Sequence, residues 1–280
     1  MNATVLRTDF SAATADKLLK LSVRFWFLVM VGGELLFTGA VASLYIPAAV
    51  YRDPHALTRF MAHGYIAGDR LGNSIVIAHI ISAVIMNLGG IIQLIPQVRM
   101  RFPTAHRWVG RIYLVNAATL SLAGLYITWV RASGAPFVDH FGISLDAFLI
   151  LICGFLSLHY ATRRRFDQHR RWTLRLFLVG NGSFFFRTGV FFWLAVNRGP
   201  VGFDPDTFEG PFLTFLSIAE SLLPLALLQV YFWAQRSTWQ APRYLAAGGI
   251  VLGALEVGIG VFVISAAAWV PLILQKPLAF

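Results

Sequence analysis

Four ionisable residues interrupt long apolar runs in this 280-residue chain: Glu34, Arg187, Glu220 and Glu256. At about 1.5 Å per residue, each falls near the middle of its run if the run is helical. Should these runs cross a bilayer, a charge at that depth costs at least ~2.5 kcal/mol, so such side chains turn inward and find partners. One guanidinium can serve one or two carboxylates. Three Glu against one Arg leave at least one acid without a cationic partner. The functional expectation is a proton-handling or substrate-binding site in mid-membrane, with Arg187 and Glu220 as its first pair. The structural alternative is an interhelical clasp, with the other acids bonded to hydroxyls or water.

The histidines divide by depth. His79 sits about 7.5 Å into the second run from its outer end. His106 and His169 begin runs at the opposite end, and His159 finishes one there, so these three could converge while His79 cannot join them. Arg107, Arg111, Arg170 and Arg171 stand beside them. Three chemistries remain open for this cluster. His-Arg pairs at helix starts could bind anionic lipid head groups. Two imidazoles could ligate a haem b iron, drawn from His79, His106, His159 and His169, with the arginines holding the propionates. A bare metal on His106, His159 and His169 is disfavoured by the surrounding positive charge. No H-E-x-x-H, C-x-x-C or Walker-type glycine loop is present.

The elements that must carry these residues follow from composition. The chain is 57% hydrophobic and 13% charged, against about 25% charged for an ordinary soluble domain. It cannot cover itself in water. Seven runs are long enough to span a membrane: 25–50, 74–98, 108–130, 143–161, 174–197, 211–233 and 244–274. The expected fold is an all-α polytopic bundle (25–274), with a cytoplasmic lead-in (1–24) and a short external tail (275–280).

The net charge of +10 points to topology rather than to nucleic acid, because the basic residues lie between the runs. With the N-terminus inside, inner segments hold sixteen of them, among them Arg7, Lys17, Arg99, Arg163 and Arg236. Outer segments hold six: Arg52, Arg59, Arg70, Arg131, Arg198 and Lys276. That is the positive-inside pattern, and an odd number of crossings places the C-terminus outside. Cys153, the single cysteine, lies in an apolar run and reads as a packed thiol. Gly89-Gly90 and Gly180 with Gly182 read as small residues for close helix approach.

His79, Gly89-Gly90, Gln93, Arg99 and the run His106-Arg107-Trp108-Val109-Gly110-Arg111-Ile112-Tyr113 resemble a family of predicted bacterial membrane proteins, domain of unknown function 2306. The later run His169-Arg170-Arg171-Trp172-Thr173-Leu174-Arg175, followed by Arg187, is similar to that family's second motif. The resemblance covers roughly residues 75–220. It implies the multi-span fold and picks out these His and Arg positions, and it implies no reaction.

The expectation is therefore a multi-pass protein of the cell's inner (plasma) membrane. One functional reading is a b-type haem redox protein, an oxidoreductase with a quinol or other redox partner. Its rivals are a proton-coupled permease using Glu34, Arg187, Glu220 and Glu256, and a non-catalytic assembly or lipid-binding protein.

Overall fold

A computed structural model describes the backbone of residues 3–51, 58, 63–131 and 137–277, and their side chains except for 3–12, 48–51 and 137–139. Arg7, Arg52, Asp53, Arg59 and Asp139 lie outside the described side chains. The helices are α1 (Ala3–Tyr51), α2 (Arg70–Leu94), α3 (Pro96–Arg101), α4 (Pro103–Trp129), α5 (Phe137–Thr162), α6 (Phe166–Val179), α7 (Gly182–Asn197), α8 (Pro211–Arg236) and α9 (Ala241–Ile264). A π-helical turn (Ser265–Trp269) and α10 (Val270–Ile273) follow α9. Pro271 cannot donate to the carbonyl four residues back, which accounts for the wider turn just before it.

Among the described residues six stretches are long and apolar enough to cross a membrane: Ala13–Pro47, Arg70–Leu94, Pro103–Trp129, His140–Thr162, Pro211–Arg236 and Ala241–Ile273. Their outward faces carry uncovered apolar side chains such as Leu28, Phe155, Leu252 and Phe262, a surface suited to lipid. Helices extend beyond the expected spans because backbone hydrogen bonding continues where hydropathy falls. The clearest case is α1, which runs unbroken through residue 24, with Leu19 packed on α8 and α9.

The remaining expected span, 174–197, is divided. Gly180-Asn181-Gly182 interrupts it, and each half is too short to cross alone. Glycine and asparagine are poor helix formers, and Asn181 competes directly for the backbone. Its Nδ2 donates to the Phe177 carbonyl at 2.8 Å, the acceptor that a continuing helix would offer to the Asn181 amide. That amide turns to the Leu178 carbonyl instead, at 3.1 Å.

Around this broken element the long helices close a ring. Contacts run from α1 to α2, α4, α5, α8 and α9, and back to α1. Helix α6 packs against α5 and α8, and α7 against α8 and α9. Two core clusters meet on the broken element. One joins Met30 and Phe37 of α1 to Phe177, Phe184 and Trp269. The other joins Met86, Tyr113, Ile150 and Cys153 to Leu176 and Val179. Irregular backbone at membrane depth survives only inside protein or beside a cavity, and the ring provides that interior.

Candidate functional site at the broken central helix

Asp146 of α5 sits at the break. Its carboxylate atoms lie 3.0–3.1 Å from where a Cβ on Gly182 would stand, and Oδ1 accepts a hydrogen bond from Ser221 of α8. Gly182 opens α7, a 16-residue helix. The start of a helix carries roughly half a positive charge and unused N–H groups. A carboxylate is therefore favoured there without a basic partner. Sequence reasoning missed Asp146, because four residues into an expected span an acid reads as interfacial. The helix in fact begins at Phe137, nine residues earlier, and places Asp146 deep in the bundle.

The next residue back on α8 is Glu220, which turns to a different neighbour. Arg187 of α7 lies within electrostatic reach of Glu220, Tyr45 and His79. Its guanidinium covers the Phe37 ring at 5.3 Å, and Nη1 donates to the Ser183 carbonyl at 2.8 Å. Ser183 and Arg187, one turn apart, form an exposed edge of α7. Consecutive residues of α8 thus face two charges around the second half of the broken helix: Glu220 the cation of α7, and Ser221 the α5 acid that lies against its start. His79 is anchored separately, its Nδ1 lying 3.2 Å from the Leu120 carbonyl.

Glu34 is fully buried, and among the described residues neither carboxylate oxygen has a hydrogen-bond partner. Its electrostatic neighbour is Tyr113 of α4, not Arg187. Glu256 is half-buried on α9. Of the four mid-depth charges expected from sequence, Arg187 and Glu220 are electrostatic neighbours, and among the described residues no ion pair joins Glu34 or Glu256 to Arg187.

At the arginine-rich end His106 and His169 are electrostatic neighbours, with Arg99 beside them. His169 Nδ1 lies 2.9 Å from the Ser157 carbonyl and 3.2 Å from its hydroxyl. His159 does not join them. It packs on Phe155 and Tyr160, along the side of α5 where Phe155 is exposed, because it lies two positions on from the inward-facing Ser157. The three-His convergence is thus reduced to two, and no group of three His, Cys, Asp or Glu with metal-binding geometry occurs among the described residues.

The nearby arginines divide as well. Arg107 bonds Thr104 and Arg111 covers Trp108, both on an exposed face. Arg170 is exposed. Arg171 and Arg175 lie over Phe232, and Arg175 also donates to Gln229 at 3.0 Å.

Over residues 76–203 the chain is similar to a family described as a predicted membrane protein, DUF2306. The DUF2306 region begins within α2 and ends after α7, so it contains His79, Tyr113, Asp146, the break and Arg187. Glu34, Glu220, Ser221 and Glu256 come from outside it. The site is completed by helices that flank the DUF2306 region on both sides. No curated protein and no solved structure matches the chain.

Proposed function

We propose that this protein is a proton-coupled permease whose working site is the break between α6 and α7, with Asp146, Glu220 and Arg187 as the residues that act. The carrying observation is the placement of Asp146 against the start of α7 while Arg187, on the same half-helix, stays exposed beside Glu220. Discontinuous helices at mid-depth are how many transporters present helix termini and charges to a substrate and its coupling ion. Here Arg187 receives an anionic group, and the two acids exchange protons as partners come and go.

In this reading α6 and α7 together carry the chain back across the bilayer, making seven crossings. The N-terminus is cytoplasmic, the C-terminus external, and the membrane is the cell's inner membrane. Arg163–Arg165 and the other inner arginines then meet anionic head groups.

Proton movement tests the reading. Proteoliposomes carrying an internal pH-sensitive dye are challenged with a panel of small carboxylates, phosphates and amines. At least one class should change the internal pH with wild-type protein, and Asp146→Asn should abolish the change. Wild-type protein that moves no protons with any class refutes the proposal.

A second reading has one observation in its favour. The Ser157 carbonyl fixes His169 through Nδ1, which leaves Nε2 for a ligand, a common arrangement behind metal-bound histidine. Haem b would then use His169 with His106. Protein purified with haem available should show a Soret band that His169→Ala diminishes; a colourless folded preparation removes this reading.

A further inference from the structure

Near the break, polar atoms from three parts of the fold are buried with no hydrogen-bond partner among the described residues. They are both oxygens of Glu34 (α1), Oη of Tyr113 (α4) and Oδ1 of Asn181. Each residue is nine-tenths buried or more: Glu34 is 0% exposed, Tyr113 3% and Asn181 3%. Tyr113 Oη lies 3.6 Å from the Cβ position of Gly180, next to Asn181, and 3.4 Å from that of Gly90. Glu34 lies within electrostatic reach of the same tyrosine. One turn from Glu34, Thr38 accepts a hydrogen bond from Asn87 at 3.1 Å, which adds a further neutral oxygen to this region.

These atoms make no hydrogen bonds to one another, so none satisfies another. A buried polar atom left unsatisfied costs about 1–3 kcal/mol, more if charged, and four together call for an occupant. The donor set defines its chemistry. One carboxylate with neutral phenol and amide oxygens suits a hard cation of single charge. A divalent ion would leave a net positive charge in lipid, which one acid cannot offset. An anion would meet the Glu34 carboxylate. A neutral water would serve only if Glu34 were protonated, and sodium binding separates the two, because a site of protonated Glu34 and water takes up no sodium.

The helix ends agree with this sign. The 14-residue α6 terminates here, and the C-terminus of a helix carries roughly half a negative charge. The break thus presents two poles: the positive start of α7 holds Asp146, and the negative end of α6 leads into Gly180, whose Cβ position is 3.6 Å from Tyr113 Oη.

We propose that Glu34, Tyr113 and Asn181, with the end of α6, form a binding site for one dehydrated Na+. The site does not depend on the permease reading, since binding can be measured without transport.

The test uses the full-length protein in detergent, with unfolding followed by a thiol-reactive dye. Cys153, the single cysteine, is buried and lies outside the site. Replacing choline chloride by NaCl at constant ionic strength should raise the wild-type Tm saturably. Tyr113→Phe should shift the Na+ midpoint upward several-fold. Glu34→Gln removes the charge that needs the ion, so it should fold, lose the Na+ response and match or exceed the wild type in choline.

Equilibrium binding of radioactive sodium reads the same site without unfolding. One ion per wild-type chain and none for Glu34→Gln supports the proposal. A wild-type Tm indifferent to Na+ together with no bound sodium overturns it, as does a full Na+ response in Glu34→Gln. Proton flux in proteoliposomes would survive either negative result, so failure here is separable from failure of the permease.

Discussion

Replacing Gly182 by Ala probes the contact between Asp146 and the start of α7. An alanine Cβ would lie 3.0–3.1 Å from the carboxylate carbon and both oxygens, closer than ordinary van der Waals contact. The carboxylate must retreat by a few tenths of an ångström while Ser221 holds it. Disturbing a hydrogen bond to a charged group costs about 1.5–3 kcal/mol. Against this, Ala is a better helix former than Gly by ~1 kcal/mol in a helix interior, and less at a first position. The net expectation is a loss of about 0.5–2.5 kcal/mol, or a few degrees of Tm for a chain of this size. The dye reaction of Cys153 on heating measures it.

The informative comparison is a double-mutant cycle. With Asp146→Ala the carboxylate is gone, and Gly182→Ala should become neutral or stabilising, giving a coupling energy of about 1.5–3 kcal/mol. If Gly182→Ala costs the same in both backgrounds, the carboxylate does not rest on this helix start and the argument for Asp146 fails.

Arg187→Ala should lower the Tm more than Glu220→Gln, because removing the cation strands an acid while Gln keeps hydrogen-bonding capacity; equal melting of Arg187→Ala and wild type would place Arg187 outside any charge network. Gly90→Ala should cost about 1–3 kcal/mol, because its Cβ would stand 2.9 Å from Phe177 Cδ2 in a packed core. A Phe177→Leu background, measured by the same melt, should relieve much of that loss. A cytoplasm-dependent reporter should be active after Arg165 or Arg236 and silent after Lys276; activity at Lys276 would mean an even number of crossings.

Much of the architecture was legible in the chain because lipid imposes a strong constraint. Every backbone polar group at membrane depth must be satisfied within its own segment. A run of apolar residues therefore commits to a helix whatever its neighbours do, and the six long spans follow from sequence alone. The resemblance to DUF2306 was readable for a similar reason: His106-Arg107-Trp108-Val109-Gly110-Arg111 and the run from His169 are local strings.

The site is a different matter. That Glu220 meets Arg187 while its neighbour Ser221 turns to Asp146 depends on how α8 is rotated in the ring. That His159 leaves His106 and His169 depends on a two-residue offset from Ser157, visible only once α6 packs on α5. The break itself had a local sign in Gly180-Asn181-Gly182, which read equally well as small residues for close packing. What decided between packing and interruption was the surrounding ring. In lipid an unsatisfied backbone group costs several kcal/mol, and only a position enclosed by other helices can hold broken backbone beside Asp146 and Glu34.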